Sequence, residues 1–132
     1  EERGLSIGPL SRAPASAQRP PAPASATGAY AAVPRLGELR NSVLYGDVWE
    51  RPQLSKRDRS LIAVAVLQAM YRTSELRTHI GRALDQNGVT PQEVSEVILH
   101  VTFYAGWPAA VNAGRLAAEA FEERGVELSE LE

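Results

Sequence analysis

The sequence predicts an all-α protein, a single bundle of about five helices. Apolar residues recur at intervals of three and four through most of the chain after residue 33, which is the spacing of one helix face. No segment alternates apolar and polar residues for long enough to form a strand. Glycine and proline interrupt the periodic segments at the places where helices would end and begin.

Residues 1–32 are predicted to form an N-terminal arm or linker, and residues 33–132 a helical domain. The segment 10–29 consists largely of Pro, Ala and Ser in low-complexity order, a composition that is typical of linkers because proline removes backbone donors and favours extended backbone. The first four residues, Glu-Glu-Arg-Gly, recur at Glu122–Gly125. A tandem precursor would leave such a repeat, but four residues also match by chance.

The first predicted helix ends at Gly46, and its apolar residues have helical spacing: Leu36, Leu39, Val43 and Leu44. The second begins at Ser55, which precedes Asp58 by three residues in an imperfect capping box. The run Leu61–Met70 is apolar on almost every side of a helix. We therefore expect the second helix to be central and buried.

The later helices have clearer boundaries. The third has Ser74 as its candidate cap and ends at Gly88 in the left-handed conformation. Its core-facing residues are Leu76, Ile80, Ala83 and Leu84. The fourth begins with Thr90–Glu93, which combines a capping box with proline at the first helical position. Its core-facing residues are Val94, Val97, Ile98 and Val101, with Tyr104 at the end. The chain then breaks at Gly106 and Pro108 before a last, Ala-rich helix.

Size and charge limit the functions that this chain can have. With 132 residues, 44% of them hydrophobic, the chain can build one small core, so self-association would add useful burial. The 14 basic and 16 acidic residues give a net charge of −2 and do not cluster into a basic stripe. We therefore expect no nucleic-acid partner.

The absence of cysteine excludes further classes. A chain without cysteine has no disulfides, thiol catalysis, iron–sulfur cluster or thiolate zinc site. No apolar run approaches the roughly 20 residues that span a bilayer, and no basic segment followed by a continuous apolar one occurs at the N-terminus. We therefore expect no membrane partner, no signal peptide and a cytoplasmic location.

The segment M-Y-R-T-S-E-L-R-T-H-I brings together three chemically active residues: Arg72, Glu75 and His79. In a helix these positions lie on one edge, because residues three and four apart are neighbours. Glu96 and His100 repeat the spacing of four on the next predicted helix. The alternative is an exposed pair on each helix that contributes a few tenths of a kcal/mol and has no reactive role. No further ligand spacing accompanies these pairs, so we expect no metal.

Four linked motifs indicate a particular family. The chain carries R-D-R-S-L at the start of the apolar helix, E-L-x-x-H on the next, then A-L-x-x-x-G-V-T-x-x-E-V-x-E-V, and Y-A-G-W-P-A-A near the end. In order and spacing, over about residues 30–125, these motifs resemble the carboxymuconolactone decarboxylase family. The resemblance implies an alkylhydroperoxidase-D-like helical fold and a homo-oligomer, a trimer or hexamer, with pockets near subunit interfaces.

The resemblance also excludes one activity of that family. Its alkylhydroperoxidase-like branch carries C-x-x-C followed by a histidine, a redox dithiol whose thiolate is the nucleophile. The cysteine positions correspond here to Arg72 and Glu75, and the histidine is retained as His79. A glutamate of the peroxidases corresponds to Ser60. Thiol peroxidase activity is therefore excluded on chemical grounds.

The decarboxylase branch needs neither a thiol nor a cofactor, and the resemblance implies that this chain uses none. In 4-carboxymuconolactone the departing carboxylate is vinylogous to the lactone carbonyl. The electron pair left by carbon dioxide therefore moves through the ring alkene to the carbonyl oxygen of the substrate itself. The protein must supply a cation for a carboxylate and an acid that protonates ring carbon. We assign His79 as the proton donor and Glu75 as the acid that orients it and favours its charged form. Arg72 is assigned as the carboxylate anchor.

Three more side chains are candidates for the substrate pocket: His100, Tyr104 and Trp107. Each also has a possible structural role. His100 could be a hydrogen-bonded residue at the edge of its helix, and Tyr104 and Trp107 could be packing or turn residues. Arg72 has an alternative role as a residue that complements a helix dipole. Arg57 and Arg59 are expected to form interhelical or intersubunit ion pairs, with a second carboxylate anchor as the alternative for Arg59.

The sequence thus predicts a carboxy-lyase of aromatic catabolism, a cofactor-independent decarboxylase of a small carboxylated lactone or keto acid. Two alternatives stay open. One is a family member with other chemistry, such as a tailoring or isomerising enzyme on another metabolite; the other is a non-catalytic oligomeric interaction module. Decarboxylases of the family often carry Val where Trp107 stands, so the substrate itself is left undetermined.

Overall fold

The computed structural model describes residues 28–132, and the chain divides into two units, Glu1–Leu39 and Arg40–Glu132. In the first unit two short helices are described, α1 (Ala29–Ala32) and α2 (Pro34–Leu39). Residues 1–27, which contain most of the predicted arm and the first Glu-Glu-Arg-Gly copy, lie outside the described residues. The arm and the tandem origin therefore stay predictions.

The second unit contains the four long helices. It opens with a π-helix, Arg40–Tyr45, and a 3₁₀-helix, Val48–Glu50. The later helices are α3 (Lys56–Ala69), α4 (Thr73–Gln86), α5 (Pro91–Ala105), α6 (Trp107–Glu122) and a last 3₁₀ turn, Leu128–Glu130. No strand occurs in residues 28–132. The predicted all-α class is confirmed.

The core of the second unit lies among these four long helices. α3 packs against α4, α5 and α6, and α6 also packs against α4 and α5. Leu76 and Ile80 of α4 are almost completely buried, and each such side chain stabilises the fold by roughly 1.5–3 kcal/mol. α6 contributes mainly alanine: Ala109, Ala113, Ala117 and Ala120. Because the distance between packed helices depends on the side chains at the contact, alanine lets α6 lie close to its neighbours.

The first helical segment ends before Gly46, as the sequence predicts. Its four apolar residues at helical spacing are all exposed: Leu36, Leu39, Val43 and Leu44. Helical spacing shows that apolar residues share a face, and it does not show that another element covers that face. Gly46 itself is required by a close approach, because a Cβ atom there would lie 2.7 Å from the carbonyl oxygen of Asn41.

α3 begins as predicted but is not buried all round. The Ser55 hydroxyl accepts a hydrogen bond from the Asp58 N–H at 3.0 Å, which confirms the N-cap. Its buried residues are Ser60, Val64 and Gln68. Three large apolar residues of the same segment are about half exposed: Ile62, Val66 and Met70. The expectation of a fully buried helix is wrong because the buried positions repeat every four residues, so the neighbouring helices cover one face only.

A tight turn joins α3 to α4. Tyr71 has a φ of 61°, a left-handed conformation that strains a bulky residue. Backbone hydrogen bonds from Tyr71 and Arg72 to the end of α3 hold this turn. Arg72 is the N-cap of α4 and no side chain caps the helix, so the predicted cap at Ser74 is wrong. The predicted core-facing residues that are buried are Leu76, Ile80 and Ala83.

α5 begins with the capping box that the sequence predicts. Thr90 Oγ1 accepts from the Glu93 N–H at 3.2 Å, and Glu93 Oε2 accepts from the Thr90 N–H at 2.9 Å. Such a cap contributes about 1 kcal/mol. Gly106, with a φ of 99°, separates α5 from α6. α6 begins at once with Trp107, so Pro108 lies in its first turn rather than in a break.

Candidate active site

His79 lines an apolar depression to which α3 supplies most of the walls. The depression has a volume of about 440 Å³. Its other lining residues are Leu54, Arg59, Ile62, Ala63, Val66 and Leu67. Ile62 and Val66 are four residues apart on one face of α3. They are available as walls because the neighbouring helices leave this face of α3 uncovered.

The surroundings of His79 favour its neutral form. The side chain is half-buried, and burial lowers the pKa of His79 below its ordinary value near 6.5, because the charged ring loses hydration. The Arg82 guanidinium, three residues further along α4, lowers this pKa further. In the free protein at neutral pH the imidazole is therefore largely unprotonated, and an anion beside it would favour protonation.

Glu75 and Arg72 do not reach this depression. Both side chains are exposed, and neither is among the lining residues. Within residues 28–132 no hydrogen bond joins the Glu75 carboxylate to the imidazole, and the pKa of His79 is lowered, not raised. Within the described residues Glu75 therefore does not favour the charged imidazole. A spacing of four brings two side chains near each other, but solvent screens an exposed pair.

Arg59 is the cation that lines the depression. Its Nη2 donates to the carbonyl oxygen of Arg51 at 3.1 Å, and its Nε is buried without an acceptor. Arg57 forms an ion pair with Glu93 of α5, which confirms the predicted interhelical pairing for that residue. Within residues 28–132 Arg59 has no acidic partner. Two residues along a helix turn a side chain by about 200°, so the two arginines face different neighbours.

His100 lines a second depression. Its volume is also about 440 Å³, and α3 and α5 supply its walls: Leu61, Ile62, Ala65, Glu96, Val97 and Val101. Ile62 is shared with the first depression. His100 is exposed, and its ring centre lies 5.1 Å from that of Tyr104. The structure brings His79 and His100 to neighbouring depressions rather than to a common one.

The two aromatic candidates lie on the surface. Tyr104 is 81% exposed and Trp107 is 70% exposed, and neither lines either depression. The expected position of Tyr104 at the end of a buried stripe is therefore wrong. Phe103 is 77% exposed, and Ile62 and Leu99 are about half exposed. Exposed apolar side chains of this size and number are typical of surfaces that another molecule covers.

The described part of the chain contains no cluster of metal ligands. No group of three or more His, Asp and Glu side chains within residues 28–132 is placed to hold an ion. The helices in that range are all too short or too polar to cross a bilayer. The candidate site consists of an imidazole, a guanidinium and apolar walls.

Comparison with known proteins identifies the family. The model of the carboxymuconolactone decarboxylase family matches residues 34–120 of the 132. The matched segment begins at α2 and includes every residue that lines the two depressions. The chain belongs to the carboxymuconolactone decarboxylase family, as the four motifs predict.

Two curated relatives are similar to this chain. It is 48% identical over 82 residues to 4-carboxymuconolactone decarboxylase of Acinetobacter baylyi, and the match covers 62% of this chain and 60% of that protein. It is 36% identical over 76 residues to nitrosuccinic acid decarboxylase npaB of Metarhizium robertsii, a match that covers 58% of this chain and 52% of that protein. The chain thus spans between half and two thirds of the length of these relatives.

Sequence patterns indicate Arg59 less clearly than His79. Arg59 lies in R-D-R-S-L, one of the four family motifs, but two arginines of that motif are equivalent by residue type. The ion pair of Arg57 with Glu93 distinguishes them in the structure, and that pair depends on the packing of α3 against α5. Leu54 and Ile62 carry no chemical signal in the sequence, since any apolar residue could serve as a wall.

Proposed function

We propose that this protein is a cofactor-independent carboxy-lyase that decarboxylates a small carboxylated lactone or keto acid, in the manner of 4-carboxymuconolactone decarboxylase. The observation that carries the proposal is the apolar depression lined by both the imidazole of His79 and the guanidinium of Arg59. Family membership and the names of both relatives support decarboxylation as the reaction. A carboxylate is the partner that this cation suits.

The substrate class follows from the place where the released electrons go. In 4-carboxymuconolactone the lost carboxylate is vinylogous to the lactone carbonyl, and in nitrosuccinic acid a nitro group lies beside a carboxylate. Either group accepts the electron pair that the broken C–C bond leaves behind as carbon dioxide departs. The protein then needs no cofactor as an electron acceptor. Its own tasks are to hold a carboxylate and to deliver a proton to carbon.

Arg59 is assigned as the carboxylate anchor, a role that the sequence suggested first for Arg72. Both named substrates carry two carboxyl groups, so one remains when the other leaves and can be held throughout the reaction. Arg59 uses Nη2 toward the Arg51 carbonyl, and its remaining N–H donors suit a carboxylate. The apolar walls around it offer no competing polar groups, so such a contact gains strength once water is excluded.

His79 is assigned as the proton donor. Its pKa is lowered in the free protein, so it must first take up a proton. A substrate carboxylate beside the ring favours this, and the charge that develops on the substrate favours it further. As carbon dioxide leaves, the electron pair moves to the acceptor group of the substrate. The imidazolium then gives its proton to carbon, and water reprotonates the neutral ring for the next turnover.

A second copy of the chain completes the proposed site. Water that enters an open depression would solvate the carboxylate and weaken its contacts. A neighbouring subunit seated on the exposed side chains of Ile62, Leu99 and Phe103 would exclude that water. We therefore include a homo-oligomer, a trimer or hexamer, in the proposal. His100, Tyr104 and Trp107 would contact substrate only in such an assembly.

The experiment is incubation of the protein with 4-carboxymuconolactone, followed by mass spectrometry for the loss of carbon dioxide against a buffer control. The unmodified protein is expected to convert the substrate. Arg115→Gln is the control, because Arg115 is exposed and lines neither depression. If neither this lactone nor nitrosuccinic acid nor a panel of small keto acids loses carbon dioxide, the proposal is wrong.

The two alternatives have outcomes of their own. A change in a larger keto acid without loss of carbon dioxide would indicate a tailoring or isomerising enzyme. An assembled protein in which a neighbouring subunit fills the depression at His79, and in which His79→Ala keeps full biological function, would indicate a non-catalytic module. The cytoplasmic location and the role in aromatic catabolism stay predictions.

A further inference from the structure

The second unit has another cleft, apart from the candidate active site. It has a volume of about 300 Å³, at the lower end of the range of small-molecule sites. It shares no lining residue with the depressions at His79 and His100. The π-helix supplies Tyr45, the first 3₁₀-helix supplies Trp49, and α4 supplies Arg82. The proposed decarboxylation brings substrate to none of these three side chains.

The aromatic rings of Tyr45 and Trp49 form one corner of the cleft. Their centres are 5.9 Å apart and their planes are inclined by 41°, so they contact each other without stacking face to face. Both side chains are half-buried, which leaves part of each accessible from the cleft. A corner of this kind suits a flat, unsaturated ring.

The cleft also carries an excess of positive charge. Three of its lining residues are basic and one is acidic: Arg40, Lys56, Arg82 and Glu50. Lys56 Nζ binds the Glu50 carboxylate at 2.6 Å, so this acid is already paired. The guanidinium carbons of Arg40 and Arg82 lie 5.0 Å and 5.3 Å from the centre of the Tyr45 ring. Both guanidinium groups therefore lie beside the same aromatic ring.

Arg82 is the side chain best placed to hold an anion. It donates from Nη1 to the Tyr45 hydroxyl, which fixes the guanidinium at the cleft. It is half-buried, and within residues 28–132 it pairs with no carboxylate. A guanidinium has five N–H donors, so most of them are left for a ligand.

We propose that this cleft binds a small ring compound that carries a carboxylate, with the ring against Tyr45 and Trp49 and the carboxylate on Arg82. A carboxylate matches the planar guanidinium fork, and an unsaturated ring matches the aromatic corner. Inorganic phosphate would use the guanidinium groups alone and leave the aromatic corner without a role. The ligand is therefore a cyclic carboxylate, bound apart from the reaction at His79.

The test uses tryptophan fluorescence in the full chain. The sequence contains two tryptophans, so Trp107→Phe leaves Trp49 as the sole reporter, and it lines the cleft. The probes are benzoate, its uncharged analogue benzamide, and inorganic phosphate. Benzoate is expected to change the fluorescence saturably and to bind at least about tenfold more tightly than benzamide, because benzamide cannot form the charge-assisted contacts.

Substitutions then locate the binding site. Arg82→Gln should weaken benzoate binding at least about tenfold, while Arg115→Gln and Arg59→Gln should leave the Trp49 response unchanged. Circular dichroism checks that each variant is folded. If Arg82→Gln does not fold, the proposal is tested by comparing the affinities of benzoate and benzamide for the Trp107→Phe protein.

Four results would overturn the proposal. They are the lack of any saturable change with benzoate, equal binding of benzoate and benzamide, an unchanged affinity in folded Arg82→Gln, and tighter binding of phosphate than of benzoate. The last result would assign the cleft to phosphate.

Discussion

Two histidines of this chain share one sequence pattern but have different surroundings. His79 follows Glu75 by four residues on α4, and His100 follows Glu96 by four residues on α5. His79 is half-buried in a depression that Arg59 also lines, whereas His100 is exposed in a depression lined by its own glutamate. The spacing along a helix is the same in both cases. The neighbouring helix therefore decides which histidine faces a site suited to an anion.

The charges around the two rings explain this difference. Arg59 lines the depression at His79 and makes it favourable for a negative substrate. Arg82 makes protonation of the His79 ring less favourable and so lowers its pKa. At His100 the other ionisable lining residue is Glu96, which repels a carboxylate. A substrate that carries a carboxylate is therefore expected to bind at His79.

The largest expected effect separates the two histidines directly. His79→Gln removes the proposed proton donor and should lower kcat by about 10²- to 10⁴-fold. His100→Gln removes at most a contact and should change kcat by less than about tenfold. Carbon dioxide release from 4-carboxymuconolactone measures both, and sedimentation checks that the assembly is unchanged. Equal losses in the two variants would show that both rings act in one assembled site.

Arg59→Gln should have the next largest effect. It removes the charged partner of a substrate carboxylate, so kcat/KM should fall by about 10- to 100-fold, mainly through KM. The matched substitutions Arg72→Gln and Arg115→Gln remove an equal charge from exposed positions and should lower it by less than about threefold. If Arg72→Gln has the larger effect, the anchor is the residue that the sequence suggested first.

The pH dependence gives a smaller but more specific effect. His79 has a lowered pKa in the free protein, and a proton donor is active only when protonated. The kcat/KM value should therefore be highest at low pH and fall as pH rises through a pKa below about 6.5. Arg82→Gln removes a nearby positive charge, so the falling limb should move to higher pH. Nuclear magnetic resonance of the His79 ring measures the same shift, and a move to lower pH would contradict this origin.

Glu75→Gln should have the smallest effect. The carboxylate is exposed and makes no hydrogen bond to His79 in the described part of the chain. The pKa of His79 should therefore move by less than about 0.5 units, and kcat/KM should stay within about threefold of the unmodified value. A change as large as that of His79→Gln would show that assembly brings Glu75 to the imidazole.

The fold was largely predictable because its signals are local. The capping residues Ser55 and Thr90 and the breaks at Gly88 and Gly106 act on the backbone within a few residues of themselves. The prediction of Ser74 as the N-cap was wrong because the turn at Tyr71 lets α4 begin two residues earlier, with Arg72 as its N-cap. The residues of α4 alone do not predict this turn, because its backbone hydrogen bonds are made to the end of α3.

Burial was less predictable than helix position. The segment from Leu61 to Met70 is apolar on almost every side, yet only the residues that face α4, α5 and α6 are covered. Tyr104 continues the apolar spacing of α5 and is nevertheless exposed. Sequence spacing defines a face, whereas the number and position of neighbouring helices define whether that face is buried.

The sequence by itself determined the helical class and the family, and it predicted His79 as the proton donor. These depend on residue identity and on spacing along single helices. Only the tertiary structure decided that Arg59 shares the depression with His79, that Arg57 is occupied by Glu93, and that Arg82 lowers the pKa of the ring. The physical reason is that charge and solvation act through space, and the packing of α3 and α4 sets those distances.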